Sequence, residues 1–365
     1  MNQGKFYESE FEGALIQLLR ENGWQYTFGG DYHRSLTDVI LEDDLRSFLG
    51  DHYGAKGLTP NDYDTVAAKV RNISGDTYYR SMVNAVSQTR DGFDFTPSFA
   101  GASAFHLDLI DFEHPERNIF RAVNQFEVGQ GGKSRRPDIV LFVNGIPVVI
   151  IELKNPTKAN ATVEDAYYQI VSRYRDDIPA LMRYCAIGVI SDAANTRMGT
   201  TVSDFEHFYA WKKVENDNNS GMGLDDVHSL VKGALAPARL LEIYRDYLYF
   251  PDKAQGEEKE IAVVCRYPQF FATRKMRDSI LGNLQSRGGK GQGGIYFGAT
   301  GCGKTYTMLF LARQLALRCR KTVENPTILI IVDREDLENQ SARLFCTSRA
   351  FLCDEAVKVF ESREE

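Results

Sequence analysis

The sequence has 365 residues, 43% hydrophobic and 25% charged, which is enough for two or three ordinary globular domains. Its net charge of −7 excludes a protein that coats nucleic acid by bulk electrostatics, although it permits a local basic groove. No apolar run approaches the ~20 residues that cross a bilayer and no signal-peptide pattern follows Met1, so we expect a cytoplasmic protein.

The first predicted element is an amphipathic helix over residues 6–22, because apolar residues such as Leu15 and Leu19 recur at helical spacing. Acidic residues occupy its first turns, where they suit the positive end of the helix dipole. The alternative is that Glu8 or Glu10 reaches an acidic site formed further along the chain.

Residues 35–90 are predicted to be mainly helical, with one segment starting at residues 35–38 and another at residues 59–62. Residues 92–118 are loop-rich. A strand is predicted over residues 120–128, and we expect it to pair alongside residues 138–143.

The most informative stretch is a predicted β-hairpin whose two apolar strands are joined by Asn144-Gly145, a dipeptide that favours a two-residue turn. Asp138 starts the first strand, and Glu152 and Lys154 end the second. Side chains alternate along a strand, so Glu152 and Lys154 point to one face, and the turn brings Asp138 beside them. A glycine-rich basic patch, residues 131–136, comes immediately before Asp138.

Two carboxylates and one ammonium at one spot suit metal-assisted hydrolysis of a phosphodiester. Asp138 and Glu152 offer the hard oxygen ligands that Mg²⁺ prefers, and the Leu153 carbonyl is a further candidate ligand. Lys154 can orient a water or neutralise the phosphate. The structural alternative is a strand hairpin with a surface ion pair.

The residues Pro137-Asp138 and Glu152-Leu153-Lys154 resemble the PD-(D/E)xK nuclease motif. The resemblance implies that Asp138 and Glu152 bind the metal and that Lys154 assists catalysis.

A helix over residues 163–175 and a strand over residues 184–191 are predicted next, which completes the element order of the nuclease core. The chain resembles type I restriction subunits here, which carry a Gln-x-x-x-Tyr element on this helix. Gln169 is present, but the tyrosine comes one place late, at Tyr174, and Arg173 takes the expected position. Tyr174's role is therefore open, and Gln169 is either a site residue or an exposed helix glutamine.

Composition predicts a first domain over residues 1–250, the nuclease-like domain, and a charged linker over residues 251–260. Residues 261–365 are predicted to form part of a second domain.

That second domain contains the pattern of a phosphate loop, G-x-x-x-x-G-K-[ST], between a predicted strand at residues 294–297 and a predicted helix at residues 306–312. Glycines let backbone N–H groups surround the phosphates of ATP. Lys304 is expected to reach the β- and γ-phosphates and Thr305 to hold Mg²⁺. The nucleotide-binding residues predicted from the pattern are Gly298, Gly301, Gly303, Lys304 and Thr305.

A buried strand is predicted at residues 327–332, and residues 333–340 after it resemble the DNA-contacting motif Ia of superfamily 2 translocases. Gln269 resembles the adenine-reading glutamine of that group; the alternative is a polar loop residue. Asp354-Glu355 resembles a DEAH box but lies too close to motif Ia, so we predict a strand at residues 356–360.

The nuclease motif followed by this motor motif resembles the restriction (R) subunit of type I restriction–modification enzymes. The resemblance implies an α/β chain with a PD-(D/E)xK nuclease-like domain and an incomplete RecA-like superfamily 2 motor lobe. It also implies Mg²⁺ and ATP as cofactors, double-stranded DNA as substrate, and methyltransferase (M) and specificity (S) subunits as partners. In that family the motor moves DNA and the nuclease cuts it.

Two other hypotheses remain. One is a DNA translocase or helicase whose nuclease-like domain binds DNA without cleaving it. The other is an assembly module without catalytic activity that docks a partner through residues 1–120.

Overall fold

The computed structural model describes residues 3–154, 162–214, 224–251, 260–285, 293–324 and 326–331. The chain forms two compact units, Met1–Arg245 and Asp246–Glu365, and mixes helices with strands, as the α/β prediction states. The strands are β1 Gln25–Phe28, β2 Phe93–Phe95, β3 Phe105–Leu107, β4 Phe120–Asn124, β5 Val128–Gln130, β6 Lys133–Arg135, β7 Ile139–Val143, β8 Ile146–Leu153, β9 Ile187–Ser191, β10 Thr196–Thr200, β11 Leu248–Tyr249 and β12 Val263–Val264.

The α-helices are α1 Gln3–Glu21, α2 Glu42–Tyr53, α3 Pro60–Arg71, α4 Tyr78–Asp91, α5 Val163–Tyr168, α6 Arg175–Asp177, α7 Pro179–Met182, α8 Leu224–Gly233, α9 Pro237–Glu242, α10 Tyr267–Gln285, α11 Lys304–Arg313 and α12 Arg320–Val323. π-Helical segments occupy Gln169–Tyr174, Ile243–Tyr247 and Gln314–Arg318, and short 3₁₀ turns occupy Gly29–Asp31, Gly54–Lys56, Pro115–Arg117 and Phe205–His207. Among the described residues, no helix is both long and apolar enough to cross a membrane.

The first unit is built on a six-stranded mixed sheet in the order β1-β4-β7-β8-β9-β10. β1 runs parallel to β4 and β8 runs parallel to β9, whereas β7 is antiparallel to both β4 and β8. The predicted pairing of the strand before the hairpin with the hairpin's first strand is therefore confirmed. This topology brings the end of β4, the start of β7 and the ends of β8 and β9 to one edge of the sheet.

The predicted hairpin is confirmed, with Asn144 at φ 50° and Gly145 at φ 78° in its turn. The Asn144 side chain is buried and accepts a hydrogen bond from the Ile119 N–H (2.7 Å). A Cβ on Gly145 would lie 2.1 Å from the Leu41 backbone oxygen, so only glycine fits. The turn is thus held at the end of the sheet opposite the acidic residues.

Strands β7 and β8 are buried along their whole length, which is why they read as continuous apolar runs. Alternate residues, Val140 and Phe142 in β7 and Ile150 in β8, join a core with side chains of α2, α3, α4 and α5. Glu152 follows Ile150 by two places, so the polar site lies on the same face as this core. Tight packing below the site fixes the strands that carry it.

Two elements predicted before the hairpin had wrong boundaries. No helix starts at residues 35–38, because Asp38 and Ser35 close a turn on themselves and α2 begins only at Glu42. The strand predicted over residues 120–128 ends at Asn124, because Gln125 has a positive φ of 50° that breaks the extended backbone.

Residues 163–175 are helical as predicted, but only the first part is α-helix and the segment from Gln169 is π-helix. The strand predicted over residues 184–191 spans Ile187–Ser191. The helices predicted over residues 6–22 and 306–312 are confirmed as α1 and α11.

The strands predicted at residues 294–297 and 327–332 are not formed where the structure describes those segments. Ile295 and Phe297 are 98% and 93% exposed, and Ile331 is 83% exposed. A strand needs a neighbour to pair its backbone N–H and C=O groups, and the described residues place none beside these segments. The motif at residues 333–340 and the strand at residues 356–360 lie outside the described residues, as do Asp354-Glu355 and most of the predicted linker.

Candidate active site

Asp138 and Glu152 face each other at the open end of the β7–β8 hairpin. The Asp138 side chain accepts a hydrogen bond from the Leu153 N–H (2.7 Å), and its backbone oxygen accepts one from the Gln125 N–H (2.9 Å). Glu152 is only 2% exposed. Burial and the negative charge of Glu152 raise the pKa of Asp138 to about 8, although the Leu153 N–H and Lys154 oppose the shift. Two carboxylates held this closely favour a proton or a cation between them.

Lys154 lies directly against these acids. Its Nζ donates to Glu152 Oε1 (2.7 Å) and to Gln169 Oε1 (2.8 Å), and its backbone N–H donates to the Ser191 oxygen (2.8 Å). The backbone bond extends the β8–β9 pairing by one residue, so the lysine starts from a fixed position. The structure therefore brings together Asp138, Glu152, Lys154 and Gln169, the four residues predicted for this site.

A π-helical turn explains the late tyrosine. In an α-helix the residue four places after Gln169 shares its face, which is Arg173, but a π-helix spaces its hydrogen bonds five residues apart. Here the segment Gln169–Tyr174 is π-helical, and the Gln169 Nε2 donates to the Tyr174 hydroxyl (2.7 Å). Tyr174 is buried, whereas Arg173 is exposed. The structure therefore places the side chain of Tyr174 beside Gln169 and Glu152.

The Tyr174 hydroxyl donates in turn to Glu152 Oε2 (2.8 Å), which closes a ring of hydrogen bonds through Lys154 and Gln169. Burial, followed by the charge of Glu152, raises the pKa of Tyr174, so the hydroxyl keeps its proton and can donate. Each side chain of the ring is oriented by two others. Such closed networks hold functional groups in a single geometry.

A third carboxylate, Glu12 of α1, approaches the site through β4. It accepts hydrogen bonds from the Asn124 Nδ2 (2.6 Å) and from the Gln125 Nε2 (2.8 Å), and its charge also raises the pKa of Asp138. Glu10 is exposed, and the side chain of Glu8 lies outside the described residues.

The sequence contained a clue to Glu12 that the prediction missed. Glu12 lies three, four and seven places before the buried residues Leu15, Ile16 and Leu19, so it occupies the core-facing stripe of α1. An acidic residue on an apolar stripe needs a polar partner inside the fold. The polar partners of Glu12 are Asn124 and Gln125, and no sequence pattern identifies them.

Oxygen ligands for a divalent cation are present at this site. Asp138 and Glu152 supply carboxylate oxygens at the same sheet edge, and their mutual repulsion would be relieved by a cation. Glu12 adds a carboxylate on the side of β4. The donor set therefore fits Mg²⁺, which binds through a few carboxylates and keeps several waters.

In the second unit, the segment predicted to be a phosphate loop forms a turn that leads into a helix. Gly301 and Gly303 have φ of 77° and 79°, and α11 begins at Lys304 immediately after them. The Lys304 Nζ donates to the backbone oxygens of Gly298 (2.9 Å) and Ala299 (3.1 Å), which places the ammonium across the loop. A left-handed glycine leading into a helix N-terminus is the arrangement that presents backbone N–H groups to phosphate.

Gln269 lies against this loop rather than in solvent. It is buried, its Nε2 donates to the Gly303 oxygen (3.1 Å), and its Oε1 accepts from the Arg266 N–H (2.8 Å). A Cβ on Gly303 would lie 2.3 Å from the Gln269 Nε2, so the glutamine occupies the space that the glycine leaves. Thr305 lies in the first turn of α11, beside Lys304.

Comparison with known proteins adds independent information. The family model for the N terminus of the type I restriction enzyme R protein matches residues 5–207, and the model for the SWI2/SNF2 ATPase matches residues 268–364. The type I restriction enzyme HindI endonuclease subunit of Haemophilus influenzae is 31% identical over 360 residues, which cover 94% of this chain and 33% of that protein.

A putative type I restriction enzyme MjaIXP endonuclease subunit of Methanocaldococcus jannaschii is 29% identical over 376 residues, covering 92% of this chain and 33% of that protein. The SauCOLORF180P endonuclease subunit of Staphylococcus aureus is 23% identical, covering 93% of this chain and 33% of that protein. This chain thus spans about a third of the length of these curated relatives.

Proposed function

Because the chain belongs to the type I restriction enzyme R protein family, we propose that its first domain is a PD-(D/E)xK endonuclease that cleaves double-stranded DNA with Mg²⁺. The observation that carries this proposal is the convergence of Asp138, Glu152 and Lys154 at one sheet edge, with Lys154 held by Glu152 and Gln169. Few structural roles require two opposed carboxylates and an oriented ammonium at the end of a buried hairpin.

Asp138 and Glu152 would hold the Mg²⁺, with Glu12 as a third acidic group. When bound, the cation supplies positive charge that stabilises the negative charge developing on the phosphate. Both carboxylate oxygens of Glu152 accept hydrogen bonds, one from Lys154 and one from Tyr174. Those bonds fix the carboxylate before any ligand arrives, so less ordering is needed on binding.

Lys154 would act on the reacting phosphate or on the attacking water. Its ammonium has three N–H groups, and Glu152 and Gln169 accept from Nζ, which leaves donor capacity for a third partner. Tyr174 acts through Glu152 and Gln169 and is thus a positioning residue. Gln125 has the same role on the other side, where it holds Glu12 and the Asp138 backbone.

The second unit would bind ATP. Gly298, Gly301, Gly303, Lys304 and Thr305 would surround the phosphates, and Gln269 would act at the nucleotide from its position against the loop. The match to the SWI2/SNF2 ATPase model supports ATP-driven DNA translocation as the use of this nucleotide. Lys304 would exchange its bonds to the loop carbonyls for bonds to phosphate.

We also propose that the chain works in the cytoplasm with methyltransferase and specificity subunits, as the R family implies. This assignment leaves sequence recognition to those partners. It agrees with the net charge of −7, which gives the chain no general attraction to DNA.

The test is nicking of supercoiled plasmid in Mg²⁺ by the 365-residue chain, with ATP and the methyltransferase and specificity subunits present. Lys154→Ala should abolish nicking and keep binding of a fluorescent ATP analogue. Lys304→Ala should lose analogue binding, and Lys56→Ala, on an exposed turn of the first unit, should change neither. If Lys154→Ala nicks at the wild-type rate, the β7–β8 hairpin is not the nuclease site. The result would then favour the alternative hypothesis of a translocase whose nuclease-like domain binds DNA without cleaving it.

A further inference from the structure

A second hairpin, formed by β5 and β6, lies at the same edge of the sheet as the proposed nuclease site. It connects the end of β4 to the start of β7, and Arg136 lies only two residues before Asp138. The base of this hairpin therefore lies within two residues of Asp138, one of the proposed metal ligands.

The tip of the hairpin is Gly131-Gly132, with φ of 58° and 79°. A Cβ built on either glycine would meet nothing within 4 Å, so the tip stands in open space. The absence of side chains at these two positions lets another molecule approach the backbone closely.

Cations follow the tip directly. The side chains of Lys133, Arg135 and Arg136 are 60%, 41% and 57% exposed. Three cations within four residues are notable in a chain with a net charge of −7.

One buried carboxylate anchors two of these cations. Asp177, 7% exposed, accepts from the Lys133 Nζ (2.5 Å) and pairs with an Arg135 Nη2 at 2.5 Å. These cations lower the pKa of Asp177, so the carboxylate stays charged. The Gln130 Oε1 also accepts from the Ala180 N–H (3.1 Å). Asp177 lies three residues after Tyr174, so the helix that orients the site also fixes the hairpin.

The anchoring leaves the hairpin net positive and rich in donors. Lysine has three N–H groups and arginine has five, more than Asp177 and Glu127 can accept. Arg136 pairs with Glu127 at 2.7 Å but stays largely exposed. The exposed parts of these three side chains are open to solvent, where they can meet a phosphate.

We propose that the β5–β6 hairpin binds the phosphodiester backbone of duplex DNA beside the scissile phosphate. This inference rests on the proposed nuclease function and adds the element that holds its substrate. Lysine and arginine bind phosphate oxygens without reading sequence, and a tip of two glycines presents no side chain to base edges. The hairpin therefore sets the position of the duplex and does not select its sequence.

The test is the salt dependence of binding of a fluorescent DNA duplex by the 365-residue chain, with Ca²⁺ replacing Mg²⁺ so that no cleavage step enters. Lys133→Ala and Arg136→Ala change exposed side chains, and circular dichroism checks that each remains folded. Arg136→Lys tests charge alone. Arg46→Ala is the control, because Arg46 is also an ion-paired arginine but lies on α2, near the far end of the sheet.

Each alanine variant should reduce the slope of log Kobs against log salt concentration by about 1, since each removes one phosphate contact. Arg136→Lys should keep the wild-type slope, and Arg46→Ala should change nothing. Wild-type slopes in both alanine variants, or an equal loss in Arg46→Ala, would overturn the assignment. So would absence of duplex binding by the wild-type chain. Plasmid nicking by the same variants reports separately on the nuclease itself.

Discussion

Replacing Tyr174 by phenylalanine tests the hydrogen-bonded ring directly. The change removes one hydroxyl from a buried side chain and keeps the aromatic ring in place. That hydroxyl donates to Glu152 Oε2 and accepts from the Gln169 Nε2. Its loss removes one hydrogen bond from the buried Glu152 carboxylate and one from the half-buried Gln169 amide.

The cost can be estimated from these partners. A hydrogen bond to a charged group contributes ~1.5–3 kcal/mol, and an unsatisfied buried group costs a similar amount. We therefore expect Tyr174→Phe to lower the free energy of unfolding by about 2 kcal/mol. For a unit of the size of Met1–Arg245 this corresponds to a fall in Tm of roughly 4–8 °C.

Tyr167→Phe is the matched control. Tyr167 lies on α5, and its hydroxyl donates to a neutral acceptor, the Ser203 backbone oxygen, at 3.0 Å. Loss of a neutral hydrogen bond should cost about 1 kcal/mol, and Lys154 and Glu152 are not involved.

Urea unfolding followed by tryptophan fluorescence is the assay, in EDTA so that no cation contributes. Both tryptophans of the chain, Trp24 and Trp211, are buried in the first unit, so the signal reports on that unit alone. A loss in Tyr174→Phe no larger than in Tyr167→Phe would show that the hydroxyl does not serve a charged Glu152. That result would contradict the hydrogen bond from Tyr174 to Glu152 in the ring.

Three further predictions concern the two sites and the turn. In metal-free buffer Asp138→Asn should become more stable relative to the wild type as pH rises from about 5 to about 8. Burial and Glu152 raise the pKa of Asp138 in the folded protein to about 8, whereas its pKa in the unfolded chain is ~3.9. The wild type therefore loses folding free energy between these two pH values, because only the unfolded chain releases the proton there, and the asparagine variant does not. A pH-independent difference in urea midpoints would contradict this. Gly145→Ala should cost more than about 2 kcal/mol, since its φ is 78° and its Cβ would clash with backbone, whereas Gly13→Ala, in an open position on α1, should raise stability by up to ~1 kcal/mol. Gly303→Ala should weaken binding of an ATP analogue without moving the tryptophan-detected transition, because the new side chain must adopt a φ of 79° and displace the Gln269 amide; wild-type binding would show that the loop tolerates a side chain there.

The hairpin and its acids could be predicted from sequence because local chemistry determines them. Asn144-Gly145 supplies two positive φ angles, and strand alternation then dictates that Glu152 and Lys154 share a face with Asp138 close by. The same holds for the glycine turn before α11, because its positive φ angles and the helix after it follow from a pattern of eight residues.

What failed depended on contacts distant in sequence. The turn before α2 is held by the Gly129 N–H, which donates to the Leu36 oxygen (2.8 Å), and no local pattern shows that contact. The end of β4 is likewise fixed by the Gln125 N–H, which donates to the Asp138 oxygen (2.9 Å). The missing strands near the phosphate loop show the same limit, because an apolar, β-branched run becomes a strand only beside a partner. Whether such a segment forms a strand depends on a pairing partner that is distant in sequence, and β-propensity alone does not show whether that partner is present.

The π-helical turn shows how a glutamine and a tyrosine that are five residues apart, rather than four, can still meet in one site. A regular α-helix would place Arg173 on the same face as Gln169 and would turn Tyr174 about 140° away from Gln169. Widening the turn restores Tyr174 to the core face, where it lies in the same apolar cluster as Ile170 and Ile178, and leaves Arg173 in solvent. A π-turn is less favourable than α-helix, so it persists only where other contacts offset its cost. Here these are the burial of an aromatic ring and a hydrogen bond to a charged carboxylate, about 2 kcal/mol each. The register of the helix is therefore set by the site it serves, and the spacing of a motif in sequence follows the geometry of the backbone that presents it.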